Sequence, residues 1–557
     1  MERDPGQSHA SPPLREAVRL ALLFGGLSAA LYYPALLSWF SSDDFLHLER
    51  VIRGGIPFTP DGGAGGFLRP VTGASLWLEY QLWVLWPPGF HAVNVLLHTA
   101  NALLVSLLAW LLLPDLRAER GFVAVMSGLL FLTLGCHAEP VAWISGRTDL
   151  LGTFFTLLAL VCFERGCAGR CGITGGTLER PVPGWMATSL LCAILAYFSK
   201  ESAIVLPLLA LLVALRHGES TGGVRGFRSV THGPWIWMGL HVALLAAYFI
   251  ARRIWIGEFV GGYGLHGHLR AAPDLIAQAT AGHVWRTFLP PVGGAAAPIP
   301  LSGMPARVWL LLLAAGAGML AWSARRPGYG RLALFLCLGY AIALLPVFNI
   351  RVSWTTPEGE RFLYLASVFA AMGLACALAA LSGRNLRHTL LALVLLSQAL
   401  PLHLAVRQWR EASLLARTVV RDIQAQHTGG AVILVNKPDS IRGALVFRTG
   451  LPDALRHFGP QPAPEVETRA LYATDLLAAA HPFDFRSAGA TFMIEAGDGA
   501  ALLAEEDRAD EIETLDAAPG RATFRFRDPV AFNRVFVYDA GRVRAVAIEG
   551  APPPDHE

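Results

Sequence analysis

"GFHAVNVLLHTANALLVSLLAWLLL", residues 89–113, decides the fold. It runs 25 residues with no acid, lysine or arginine, and about 20 such residues cross the hydrocarbon core of a bilayer as a helix. Its first half is not uniformly apolar. His91, Asn94, His98 and Asn101 are spaced 3, 4 and 3 apart, so they lie on one helical face. A polar stripe inside a bilayer is costly and turns toward a bundle interior or a wet cavity. The stripe therefore requires other helices around it. Two uses fit it equally: interhelical hydrogen bonds with no chemistry, or contacts to a substrate.

The rest of the chain supplies those helices. Of 557 residues, 54% are hydrophobic and 16% charged, with a mean hydropathy of +0.45; an average soluble protein carries roughly 25% charge. Apolar runs of spanning length fall at 17–39, 89–113, 121–136, 148–164, 185–199, 201–215, 235–255, 305–322, 331–348, 362–381 and 388–405. Eleven transmembrane helices are thus expected, with the first run kept as an anchor because no small-residue cleavage site follows it. The stretch 70–86, with Trp77, Tyr80, Trp83 and Trp86, suits the interface. A net charge of +3 gives no reason to expect nucleic acid. Cys162, Cys167 and Cys171 cluster, but no second ligand pair with zinc-like spacing follows, so they read as free thiols.

Arginines set the topology. Arg15 and Arg19, Arg117 and Arg120, Arg165, Arg170 and Arg180, Arg216, Arg225 and Arg228, Arg325, Arg326 and Arg331, and Arg384 and Arg387 occupy alternate connections. By the positive-inside rule these are cytoplasmic. The opposite connections, 40–88, 137–147, 199–201, 256–304 and 349–361, are then extracytoplasmic, as is the tail. The expected location is the cell (inner) membrane, multi-pass. From about 406 the chain becomes polar, with short β-like runs at 431–436, 490–496, 522–526 and 534–549. The last carries a turn signal at Asp539-Ala540-Gly541. A helix is expected near Ser440–Phe447 or Asp453–Phe458. The expected division is 1–405, a transmembrane domain, and 406–557, a small extracytoplasmic α/β or β-rich domain.

The polar residues of the outer side converge. The first loop carries Asp43, Asp44 and Arg69; "CHAEPVAWISGRTDLL" (136–151) carries His137, Glu139, Arg147 and Asp149. "FSKESAIVLP" (198–207) places Lys200 and Glu201 at a bend, and "PEGERFLYLASV" (357–368) gives Glu358, Glu360, Arg361 and Tyr364. Charges of both signs on one side suit an anionic ligand. Lys200–Glu201 and Glu360–Arg361 also read as simple salt bridges. Ser41-Ser42-Asp43-Asp44 fits a helix N-cap, or one acid takes a proton from a substrate at the membrane surface.

Four blocks carry a resemblance: 67–104 (FLRPVTGASLWLEYQLWVLWPPGFHAVNVLLHTANALL), 137–160 (HAEPVAWISGRTDLLGTFFTLLAL), 198–212 (FSKESAIVLPLLALL) and 359–367 (GERFLYLAS). With the diacidic pair in the first outer loop, their order and spacing resemble the transmembrane O-mannosyltransferases that act on cadherins, and their prokaryotic relatives, over roughly residues 20–405. Two departures stand out. Animal members continue into tetratricopeptide repeats where this chain has its own small domain, and Ala366 stands where the family usually has proline.

The resemblance implies a GT-C glycosyltransferase fold and a donor sugar, mannose favoured, on a polyprenyl phosphate. Asp43 or Asp44 would be the base that deprotonates an acceptor hydroxyl, typically worth roughly 10²–10⁴-fold. Which one is open; Asp43 comes first out of the membrane. Arg69, Arg147, Lys200 and Arg361 are the candidates to hold the departing phosphate. His91, Asn94, His98, His137, Glu139, Glu201 and Tyr364 are the candidates to contact substrate. Direct attack would invert the anomeric centre, and no obligatory metal is expected. Partners are then the lipid-linked donor, membrane lipids and an extracytoplasmic protein or glycan acceptor. A transporter would carry matching broken helices in two halves, which the sequence lacks. A scaffold presenting the tail would leave the acidic and basic blocks without a purpose.

Overall fold

The computed structural model describes residues 14–54, 67–113, 116, 119–168, 182–220, 233–259, 273–289, 329–427, 431–462, 466–488, 491–497, 500–505, 511–518, 520–527 and 534–546. The span expected at 305–322, Cys171 and most of the connection 166–184 lie outside them.

Leu14–Leu31 (α1), Tyr33–Leu36 (α2) and Asp43–Gly54 (α3) open the chain, followed by Pro70–Trp83 (α4), Pro87–Leu112 (α5) and Arg120–Thr133 (α6). The short Ala138–Ala142 (α7) precedes Arg147–Ala168 (α8), Pro183–Tyr197 (α9), Leu206–Ser220 (α10), Gly233–Ile256 (α11) and Pro273–Phe288 (α12). Tyr329–Leu344 (α13), Ser367–Ala379 (α14) and Arg384–Gln426 (α15) complete the helical part. Pro at N1 or N2 starts α4, α5 and α9, where its missing N–H leaves no bond unmade. Among the described residues five helices are long and apolar enough to cross a membrane, or six if α6 and the bent segment Gly135–Ala142 count as one span. The protein is multi-pass, and the expected eleven spans are not reproduced as a count. α5 packs on α6 and α8, and α8 on α9.

Two expectations change here. The connection 137–147 is not a surface loop. Every residue from 131 to 150 is buried, and the segment turns 58° from α6 through short helical turns into α8. Gly146 permits this fold-back, since a Cβ there would meet backbone atoms of Pro140 at 2.7 Å. The division at 405/406 falls inside α15, which runs 43 residues without a break and carries Pro401 within it. At 1.5 Å per residue that is about 65 Å, twice the roughly 30 Å of a hydrocarbon core. The change of composition near 406 is a change of surroundings along one helix.

The second half of α15 belongs to the tail domain. Asp422 accepts from Arg542 (2.7 Å) and from the Val543 N–H (3.1 Å), and Gln424 donates to the Leu455 and Phe458 carbonyls. Strands Val432–Ile441 (β1), Ala444–Leu445 (β2), Thr468–Leu476 (β3), Phe483–Ala488 (β4) and Thr491–Ala496 (β5) are followed by Ala501–Ala504 (β6), Ile512–Ala518 (β7), Arg521–Phe526 (β8), Arg534–Asp539 (β9) and Arg542–Val546 (β10). One sheet has the order β10-β9-β1-β3-β6, with β1 parallel to both β3 and β9; the other is antiparallel, β4-β5-β8-β7. β1 is buried at all ten positions, as a central parallel strand should be. The expected β9–β10 hairpin forms, its turn residues Ala540 and Gly541 both at positive φ. No helix forms over Ser440–Phe447. Arg442 (φ 50°) and Gly443 (φ 83°) make a two-residue turn that pairs β1 with β2. The helix is Leu451–His457 (α16).

Candidate active site

Asp43 and Asp44 head α3, and their side chains part. Asp44 is buried. Its Oδ2 accepts from the Ser41 N–H (3.0 Å), and its Oδ1 accepts the Ser145 N–H (2.8 Å) and hydroxyl (2.6 Å). The Ser41 bond is the acid's half of a capping box. Burial pushes the Asp44 carboxyl up to about 7, while the three donors favour its charged form. Asp43 is half-buried. Its Oδ1 accepts the Ser42 hydroxyl (3.3 Å) and the Thr449 hydroxyl, which comes from the tail domain. No donor among the described residues reaches its Oδ2. One turn further on, His47 is pushed down by burial and by Arg50 and Arg69, against the pull of Asp43. A neutral imidazole thus lies within electrostatic reach of both Asp43 and Arg69.

The segment 143–145 locks this loop to the bundle. The Trp143 indole N–H donates to the Ser41 carbonyl (3.1 Å), its own carbonyl accepts from Asn94 (2.8 Å), and its ring stacks on Trp409 of α15 at 5.6 Å. The Arg361 guanidinium lies 5.1 Å from the same ring. Trp143 and Ser145 lie inside one of the quoted blocks, yet nothing in the sequence marks them as the hub. Their role depends on the fold-back at Gly146.

The cations divide. Arg147 is fully buried. Its donors go to Glu79, Asn94, Ser75 (2.8 Å) and the Phe90 carbonyl (2.8 Å). Lys200, also buried, pairs with Asp149. Each of these two candidates for the donor phosphate is held in the structure by a buried carboxylate. Arg69 and Arg361 differ. Arg69 pairs with Glu201 at 2.7 Å with its side chain 14% exposed, and Arg361 pairs with Glu139 with its side chain 20% exposed. Arg252 reaches the other oxygen of Glu201 at 3.5 Å. Lys200–Glu201 and Glu360–Arg361 do not pair with each other, since adjacent residues in a tight turn point apart. Glu360 pairs instead with Arg286. Glu79 and Arg286 escaped sequence reasoning; a lone acid within "LWLEYQLW" (76–83) was the available signal, because a charge among apolar neighbours needs a partner.

The polar stripe lies deeper and is bonded mainly within the bundle, although His91 Nδ1, Asn101 Oδ1 and His137 Nδ1 have no hydrogen-bond partner among the described residues. His91 bonds the Trp39 carbonyl (3.2 Å), His98 bonds the Tyr364 hydroxyl (2.7 Å) and the Leu132 carbonyl (3.2 Å), and Asn101 donates to Tyr364 (3.2 Å). His137 bonds Ser367 at 2.8 Å. All five are buried. The bonds the structure shows are interhelical, linking α5 to α6 and to the stretch before α14, and the bent segment to α14. Among the described residues no three His, Cys, Asp or Glu side chains gather as metal ligands.

Comparison with known proteins gives a consistent family signal over part of the chain. No family model matches it. The protein O-mannosyl-transferase TMTC2 of Homo sapiens is 31% identical over 201 residues, 33% of this chain and 22% of that protein. Protein O-mannosyl-transferase Tmtc1 of Drosophila melanogaster is 33% identical over 164 residues, 29% and 17% of the two chains. The chain thus spans about a fifth of the length of the curated relatives it matches, and over that stretch it resembles the O-mannosyl-transferases, as the quoted blocks indicate. ArnT of Cupriavidus metallidurans, solved with undecaprenyl phosphate, superposes with a TM-score of 0.45 at 13% identity, covering 90% of this chain and 97% of that one. The Archaeoglobus fulgidus oligosaccharyltransferase gives 0.40 at 14% identity, covering 75% and 62%.

Proposed function

We propose that the chain is a GT-C glycosyltransferase of the membrane that moves a sugar, mannose favoured, from a polyprenyl phosphate to an extracytoplasmic acceptor, with Asp43 as base. The observation that carries the reading is the division of the acidic pair. Both oxygens of Asp44 already accept from buried donors, and Asp43 keeps one oxygen without a donor among the described residues, at the head of a helix. The donor class comes from the resemblance to the O-mannosyl-transferases.

The chemistry then follows from residues on the page. An acceptor Ser or Thr hydroxyl donates to Asp43 Oδ2. As its oxygen bonds to the anomeric carbon, its proton passes to Asp43 and the carbon–oxygen bond to the phosphate breaks. The products are the glycosylated acceptor, of inverted configuration, and a free polyprenyl phosphate. The extra negative charge on that phosphate needs a cation at the site. Arg69 is the favoured holder because its partner Glu201 is partly exposed, and Arg361 is the second because its own side chain is 20% exposed, although its partner Glu139 is buried. Arg147 and Lys200 are assigned to the scaffold. Glu201 and Glu139 hold the two arginines in place until donor binds. The arginine pattern of the connections supports an extracytoplasmic active site and tail domain.

The test is transfer by the purified protein in lipid nanodiscs. Radiolabelled polyprenyl-phosphate mannose is offered with a Ser/Thr peptide and, in parallel, with a lipid-linked glycan acceptor. Label in the peptide, lost in Asp43→Asn, is the expected result. Label only in the glycan moves the acceptor class, and no transfer from any polyprenyl-phosphate sugar overturns the reading.

A further inference from the structure

The segment Val446–Gly450 of the tail domain is pressed against the acidic loop by contacts on both of its ends. The Val446 carbonyl accepts the Ser42 N–H at 2.8 Å. Phe447 stacks on Phe45 with ring centroids 5.7 Å apart and planes at 19°. Arg448 bridges Asp439 of β1 (2.8 Å) and Glu358 of the outer connection before α14. Gly450 has φ 79°, and a Cβ there would come within 2.6 Å of the Ser42 carbonyl. Ser42 itself sits at φ 49°, a region that L residues other than Asn and Asp rarely adopt. These anchors leave Thr449 one place to go. Its hydroxyl lies 3.5 Å from the Ser42 hydroxyl, and both donate to the same oxygen of Asp43.

We infer that Thr449 is a positioning residue for the Asp43 carboxylate, so that the tail domain completes the active site from outside the membrane. The inference rests on Asp43 being the base. Two hydroxyl donors on Oδ1 fix the plane of the carboxylate and leave Oδ2 without a donor among the described residues, as a base that must meet one acceptor geometry requires. Hydrogen bonds to a charged group are strong enough for one of them to matter. A loop that only covered the site would not need a hydroxyl there. Nor would it need a glycine and a strained serine to bring the two backbones together.

The experiment compares Thr449→Val, which keeps the shape and removes the donor, with Thr449→Ser, which keeps the donor. Full-length variants in nanodiscs are assayed with polyprenyl-phosphate mannose and a Ser/Thr peptide, and their melting temperatures are recorded. The expected result is a kcat lower by about ten-fold or more in Thr449→Val, donor KM within two-fold of wild type, and recovery in Thr449→Ser. Wild-type or faster turnover by Thr449→Val overturns the role, faster turnover marking the segment as an obstacle to acceptor. Equal losses in both variants alongside a lower melting temperature also overturn it, as would a hexose found on Thr449 by mass spectrometry. A wild-type protein that transfers no polyprenyl-phosphate sugar to either peptide or glycan overturns the glycosyltransferase reading and this inference with it. Active wild type beside an unaffected Thr449→Val overturns this inference alone.

Discussion

Ser145 donates its backbone N–H and its hydroxyl to one oxygen of Asp44, at 2.8 and 2.6 Å, across 101 residues of sequence. With Ser41 on the other oxygen, Asp44 is a latch between the start of α3 and the fold-back before α8. The two acids should therefore fail differently. Asp43→Asn should keep the wild-type melting temperature and lose turnover by roughly 10²-fold or more. Asp44→Asn presents an amide N–H to a backbone donor, and an unpaired buried donor costs about 1–3 kcal/mol, so it should lower the melting temperature. Thermal denaturation and transfer rates on the two proteins check this. The reverse pattern would make Asp44 the base.

Asp44 also imposes a pH signature. Burial takes its carboxyl from an ordinary 3.8 to about 7 in the folded protein. The folded state then binds more protons than the unfolded chain between these values, so stability falls as pH rises through that window. The contribution is fully present below about 4 and lost above about 7. The melting temperature of wild type minus that of Asp44→Asn should decline from pH 4 to pH 7. A difference that is flat or rises would show that the three donors outweigh burial.

The two classes of arginine make a third test. Arg147→Ala leaves Glu79 charged and unpaired in the interior, a loss of roughly 3–5 kcal/mol. The pair of changes Arg147→Met and Glu79→Leu removes both charges and should recover most of it, with donor KM unchanged. Arg69→Ala breaks a partly exposed pair of little worth to stability and should raise donor KM. Donor titrations on stable variants distinguish the two. A donor defect in the double variant would return Arg147 to the phosphate.

Topology is open to a direct measurement. Glu513 in β7 and Arg384 at the start of α15 are both exposed. Single cysteines at the two positions, in a background without native cysteines, should react with an impermeant thiol reagent from opposite sides of the membrane. Reaction of both from one side would contradict the arginine pattern.

The sequence made the helices and the polar stripe legible because each is a local property: length, apolarity and a 3-4-3 spacing at residues 91–101. The ion pairs were not legible, because partners such as Arg147 and Glu79 or Arg286 and Glu360 lie far apart in sequence while neighbours such as Lys200 and Glu201 face different ways. Asp43 and Asp44 could be singled out but not told apart, since Ser145 is brought to Asp44 only by the turn at Gly146. Thr449 carried no signal. An isolated Thr in a polar tail gains meaning only when the tail is laid on the first loop.

α15 gives that arrangement an angular constraint. Trp409 meets Trp143, Ser413 accepts from the Trp39 N–H at 3.0 Å and Asp422 meets Arg542, all on one continuous helix. One residue inserted after Pro401 would turn everything above it by about 100° and raise it about 1.5 Å. The tail is thus geared to the bundle rather than tethered to it. A foreign domain grafted at the end of α15 would meet the acidic loop only if its own first helix continued α15 in phase.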